Sequence, residues 1–357
     1  MKIYLDKIAS STQNAKLPNE VYISDEIVCK EGYILAARVL GRKDKYNELE
    51  NIHGRMVKLL TGDIIAGVLG NRKALRGYSG YVPSQIRAGD RLNLLSLGGV
   101  IGKCDSYTDD LGAPIDVEIL GSVLTFPSFE DRIGVPAHIH DAPIARSSTI
   151  QSDVPTLFVS GTCMNTGKTT ACMEIVRELD QRGYRVVAAK LTGVSLLRDT
   201  LAMEDSGAVR TLTFNHAGAI STTHEDTVSI AKGILQALSD SRPDVQIVEL
   251  GDGLAGEYGV NKILEDPELM ALPGVHLVCA SDPIAAWGAA RYFQEKFMQT
   301  ISVFSGPVTD NDVGKNFIQE TLGIPAWNAR HEMNSLTDFI EARLALKQRK
   351  SCAKLAS

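Results

Sequence analysis

The stretch from Ser160 to Thr170, SGTCMNTGKTT, restricts the fold more than any other part of this 357-residue chain. Gly161, Gly167, Lys168 and Thr169 supply the elements of the phosphate-binding loop pattern G-x-x-x-x-G-K-[ST]. The context is the one such a loop needs. An apolar segment, TLFVS (156–160), runs in. A helical segment runs out through about Arg182, with Cys172, Ile175, Val176 and Leu179 on one face. Glycines let backbone N–H groups turn inward around phosphate oxygens. The helix N-terminus adds its partial positive charge. Lys168 can reach the terminal phosphates, and the Thr169 hydroxyl can ligate Mg2+. The candidate nucleotide-binding residues are therefore Gly161, Asn165, Thr166, Gly167, Lys168, Thr169 and Thr170. ATP and Mg2+ are the expected ligands.

From 155 to 347 the sequence alternates strands and helices. Strand-like runs lie at 156–160, 184–193, 245–253, 274–283 and 300–307, with a short one at 323–328. Helical stretches lie at about 225–240, 285–298 and 335–347. Alternation of this kind predicts an α/β domain, a mostly parallel sheet covered by helices, here a P-loop NTPase. Residues 1–125 read differently. Short apolar runs broken by Gly, Asn and Asp predict a smaller β-rich, barrel-like domain; residues 44–60 are ambiguous. Residues 126–154 hold three prolines, with a fourth at Pro155, and little periodicity, a linker or functional loop. The basic end, 348–357, reads as a flexible tail.

Bulk properties exclude several classes. A net charge of −6 gives no electrostatic reason for a nucleic-acid or membrane partner. No apolar run approaches the roughly 20 residues of a membrane-spanning helix, and the start has no apolar h-region. Six scattered cysteines without a CxxC pair suit reduced thiols in a cytoplasmic protein.

A second carboxylate is expected at the end of a neighbouring strand. VQIVELGDG (245–253) supplies Glu249, with Asp252 three residues on, to hold Mg2+ directly or through water. Lys190 closes another apolar strand, at the edge where open α/β sheets bind ligands.

Three segments together, GTCMNTGKTT, AAKLTG and VELGDGLAG, resemble the dethiobiotin synthetase pattern. A related, little-characterised P-loop family is similar too, on HAGAISTTHED (216–226) and SGPVTDN (305–311). The resemblance covers about 155–330 and none of 1–150. It implies the loop lysine for Lys168, the metal hydroxyl for Thr169 and the metal-binding glutamate for Glu249. It also implies that Lys190 helps substrate and γ-phosphate meet, and that Asp205, in MEDSGA, is a metal-binding aspartate. GDG stands where the synthetase has GAGG, so biotin chemistry is not carried over.

The remaining segments each leave two readings open. HAGAISTTHED forms a substrate pocket or a turn with a Thr223/Asp226 capping box. In GPVTDN, Asn311 reads a nucleotide base, while Thr309 and Asp310 suit a helix cap. His138 and His140 are metal ligands or loop histidines. Arg76, Tyr78 and Tyr81 form an anion-binding loop or a hairpin. Signatures of motors, switch GTPases and metal-insertion GTPases are absent. The leading expectation is thus an ATP-dependent ligase or synthetase, with Lys168 and Lys190 as catalytic cations. Its substrate would be a small metabolite such as a carboxylate. A small-molecule kinase or transferase is one alternative; a nucleotide-dependent accessory protein for cofactor or metalloenzyme maturation is another. The first domain would supply substrate contacts or mediate dimerisation, and a homo-oligomer is expected.

Overall fold

A computed structural model describes residues 1–128, 133–223 and 225–347, and the tail 348–357 lies outside them. The chain divides into two compact units. The first comprises Met1–Ala145, Gly193–Arg198 and Thr213–Asp226; the second comprises Arg146–Thr192, Asp199–Leu212 and Thr227–Ser357. The first boundary lies between Ala145 and Arg146. Two short segments from later in the chain also belong to the first unit, and hydrogen bonding explains why. Val194 bridges Ser221, and Ser195 N–H donates to Ile220 O at 2.9 Å. The buried Glu50 carboxylate accepts the N–H groups of Leu197 and Arg198, both at 2.7 Å. Asn215 is buried, and its amide donates to Ser11 O at 3.2 Å.

The first unit is built on an eleven-stranded sheet. Strands Ile115–Thr125, Ile34–Val39, Ile64–Leu69, Val100–Tyr107 and Arg91–Leu94 pair in that order, and the last pairs back to the first. That ring is a closed barrel, the all-β arrangement that leaves no edge inside it. Alternating inward residues such as Leu35, Ala37 and Val39 build one apolar cluster with Ile65, Ile101 and Val117. The ambiguous 44–60 region is a hairpin, Glu48–Glu50 with Met56–Lys58. The 75–83 segment also folds as a hairpin arm. Tyr78–Tyr81 pairs with Arg72–Lys73, leaving Arg76 exposed and Tyr78 buried. His138 and His140 lie 5.2 Å apart with tilted rings, both edge-on to Tyr33, and no group of three metal-ligating side chains forms among the described residues. No described helix is long and apolar enough to cross a membrane.

The second unit is an α/β fold. Its six-stranded sheet runs Arg210–Thr213, Val186–Thr192, Val245–Leu250, Thr156–Gly161, Gly274–Cys279, Val303–Ser305. The Thr156–Gly161 strand pairs in parallel with both neighbours, and the outer pairs 186–192/245–250 and 274–279/303–305 are parallel too. Strands buried on both faces read as unbroken apolar runs, which is why these were legible in sequence. Helix Lys168–Gln181 lays Ala171, Cys172, Ile175, Val176 and Leu179 into a core shared with Leu157, Ile247, Leu277 and Ile340. Arg182, held by Glu178 of its own helix at 2.8 Å, fastens that C-terminal end to the final helix, Met333–Leu344, through Asp338 and Glu341 at 2.6 and 2.9 Å. Three pieces had no clear sequence signal: helix Arg198–Asp205, the edge strand Arg210–Thr213 and the short helices across Val260–Met270.

Candidate phosphate-binding site

Successive strands lie to either side of Thr156–Gly161, so the sheet order reverses there. In open α/β sheets ligands bind at such a point, beyond the strand C-termini. The loop that follows joins this strand to the N-terminus of helix Lys168–Gln181. Five residues separate Gly161 from Gly167, one more than in G-x-x-x-x-G, and Thr162 stands where the pattern has its first glycine. Thr162 N–H donates to Cys279 O at 3.0 Å, and its hydroxyl oxygen is buried without a hydrogen-bond partner. Gly161 is nonetheless required. A Cβ there would strike the Thr166 hydroxyl and the stem of Lys168. Asn165 and Gly167 take positive φ values of 60° and 86°, which turns the loop back on itself.

Lys168 is buried, and its ammonium donates to Cys163 O at 2.8 Å and Asp252 O at 2.6 Å. Carbonyl oxygens thus hold a full positive charge at the mouth of the loop. Thr166 closes the loop by donating to Cys163 O at 3.0 Å. The segment after the edge strand Val303–Ser305 supports it. Gly306 packs 3.8 Å from a Cβ built at Gly167, and its own Cβ would lie 2.6 Å from Thr166 O.

Glu249 sits near the end of strand Val245–Leu250, 2% exposed. Burial pushes its carboxyl above the ordinary carboxylate range; Lys190, Lys168 and the Thr169 hydroxyl pull the other way, while Asp199 adds to the rise. Its Oε1 lies 3.7 Å from Lys190 Nζ, and its Oε2 is buried with no hydrogen-bond partner. A buried carboxylate oxygen without a donor, beside a hydroxyl and two ammonium groups, fits a hard cation such as Mg2+. Lys190, also buried, ends in a very short contact with Asp199. Neighbouring backbone fixes its stem. Thr192 donates its hydroxyl to Gly251 O, and a Cβ on Gly251 would sit 3.3 Å from Lys190 Cε. A side chain at Gly251 would therefore crowd this lysine.

The structure gathers Lys168, Thr169, Glu249 and Lys190 at one edge. It does not bring Asp205 there: Asp205 is exposed at the C-terminal end of helix Arg198–Asp205. The first turn of that helix supplies Asp199 instead. Sequence reasoning missed Asp199 because the chain departs from Lys190 through Gly193–Arg198, which has no period to count across. The acid nine residues after Lys190 was the only signal. Asn311 is the N-cap of helix Asp312–Asn316, its Oδ1 accepting from Val313 and Gly314 N–H at 3.0 and 3.3 Å. A capping box forms at Thr213 and His216, at the start of the short helix Phe214–Ala217.

No family model matches the chain, and no curated protein matches it. Among solved structures it is similar to the signal recognition particle receptor FtsY from Elizabethkingia anophelis in complex with GDP. Identity there is 15% over 58% of this chain and 69% of that one, with a TM-score of 0.38. The signal recognition particle 54 kDa protein from Aeropyrum pernix K1, also in complex with GDP, gives 16% identity and a TM-score of 0.38. That match covers 54% of this chain and 49% of that one. A DUF1611 family protein from Anabaena variabilis gives 13% identity over 55% and 62%, with a TM-score of 0.36. None of these solved structures is a dethiobiotin synthetase. The nucleotide-binding reading therefore stands on the strand–loop–helix geometry of the chain itself.

Proposed function

We propose that the chain is a nucleoside-triphosphate-dependent enzyme that transfers the terminal phosphoryl group of ATP to a small anionic metabolite. In a ligase or synthetase a second group would then displace the phosphate. One observation carries this reading: the buried Lys190, set between Glu249 and Asp199 at the edge that also holds Lys168. Nucleotide binding alone needs the loop. A second buried ammonium, kept in place by two carboxylates and by the Gly251 backbone, is suited to charge on a group being transferred.

In this scheme the loop N–H groups and Lys168 bind the phosphates. Lys168 would exchange the Cys163 and Asp252 carbonyls for phosphate oxygens. Thr169 and Glu249 would hold Mg2+, which supplies Lewis-acid neutralisation of phosphate charge when bound. Asp199 holds Lys190 in place until an anionic substrate competes for it. Asn311 remains a candidate for base contact only through its amide nitrogen, because its oxygen caps a helix.

The test is release of ADP from Mg-ATP, and of GDP from Mg-GTP in parallel, by the purified chain against pools of small carboxylates and amines. Stimulation by one pool, absent in Lys168→Ala, supports the reading. A slow basal rate that no metabolite raises would sink it and favour a partner-dependent accessory role.

A further inference from the structure

We propose that the β-rich unit carries a separate site for a small oxyanion, a phosphate or carboxylate group, held by Arg42 and Arg91. A cavity of about 320 Å3 opens at one end of the barrel, where strand Ile34–Val39 ends and strand Ile115–Thr125 begins. It is lined by Leu40, Gly41, Arg42, Lys43, Arg91, Pro114, Ile115 and Asp116. Three bases face one acid, in a chain whose net charge is −6. A cationic cavity here is therefore not a by-product of overall charge.

The charges in it are not equivalent. The Lys43 ammonium is spent on the wall: it donates to the Tyr78 hydroxyl at 2.7 Å, to Leu111 O at 2.8 Å, to Gly112 O at 3.3 Å and to Ala113 O. Burial lowers its pKa, as expected for an ammonium satisfied by neutral acceptors. Asp116 accepts from the Asn93 amide at 2.8 Å and forms no ion pair with either arginine. Glu118, the cross-strand partner of Arg91, is engaged on its other side by Arg38 at 2.8 Å. Arg42 and Arg91 are left as guanidiniums without an ion pair among the described residues, while Arg38 beside them is paired with Glu118. Leu40, Pro114 and Ile115 give the cavity an apolar side that strengthens a charge-assisted bond. Planar guanidinium forks match carboxylate and phosphate oxygens bidentately.

The experiment uses the full chain carrying Lys168→Ala, so that the phosphate loop does not contribute. Inorganic phosphate and succinate are titrated calorimetrically at constant ionic strength in chloride. One saturable site is expected. Arg42→Gln and Arg91→Gln should each weaken it roughly fivefold or more, and the double variant should abolish it. Both residues are exposed, so the fold should survive, as circular dichroism would check. Saturation by phosphate alone identifies a phosphorylated ligand, and saturation by succinate alone a carboxylate. No saturable binding of either probe, or binding that survives the double substitution, overturns the proposal.

Discussion

His276 offers a quantitative check on the packing beside the loop strand. It pairs with Phe158 across the sheet, and its ring stacks on Phe158 at 5.3 Å and meets the Phe293 edge at 5.8 Å. The residue as a whole keeps some exposure, but its imidazole is enclosed by these rings. Burial lowers its pKa to about 4, from an ordinary value of 6.5. The sign follows from linkage. Between pH 6.5 and 4 the unfolded chain binds a proton at this site that the folded chain does not. The native state therefore loses stability as pH falls through that window. Above it the effect vanishes, and below it the loss is complete. Two and a half units correspond to a full loss of about 3 kcal/mol, and of about 2.5 kcal/mol at pH 4.5. The perturbation is His276→Phe, which keeps an aromatic ring between Phe158 and Phe293 and removes the titrating group. Urea unfolding of both proteins at pH 7.5 and 4.5 isolates the difference, because other carboxylates and histidines cancel. Wild type should lose about 2.5 kcal/mol more than the variant. Equal losses would show that the ring is protonated in the folded state and that the stacked environment is wrong.

Other outcomes follow from the site. Glu249→Gln keeps shape and removes charge. It should weaken Mg2+-dependent nucleotide binding about 10- to 100-fold while leaving metal-free binding nearly unchanged, read by titration with and without Mg2+. Gly306→Ala places a Cβ at φ +88° against Thr166 O. It should cost roughly 1–3 kcal/mol in thermal unfolding and also weaken nucleotide binding, whereas Gly323→Ala, with open space around it, should cost only the backbone strain. Arg182→Met removes the tie between two helices but leaves a long apolar stem. A loss of about 1–2 kcal/mol without change in nucleotide affinity is expected, and a larger loss in affinity than in stability would contradict it.

Sequence legibility tracked burial and period. The strands of the second unit are buried on both faces, so TLFVS and VQIVEL could be read directly as core, and the loop followed from its glycines. Lys168, Thr169, Glu249 and Lys190 each end or follow an apolar run, and the fold collects them. Asp199 was not legible, because the segment before it belongs to another folding unit and follows no sheet or helix period. Asp205 was implied only by the family resemblance, and it ends the helix whose first turn holds Asp199. The barrel in the first unit could be sensed from strand-length runs. Its closure rests on Arg91–Leu94 pairing with two strands, a non-local fact that local pattern does not carry. Arg42 and Arg91 lie 49 positions apart in sequence and meet only through that pairing.

The central claim is that Lys190 serves transfer while Lys168 serves binding. The direct measurement compares wild type, Lys168→Ala and Lys190→Met for Mg-ATP affinity and for metabolite-stimulated ADP release. The account predicts that Lys168→Ala loses both. Lys190→Met should keep affinity within about threefold and lose stimulated release by on the order of a hundredfold or more. If Lys190→Met turns over like wild type, or loses affinity in step with release, the second lysine does not act on the transferring group and the account is wrong.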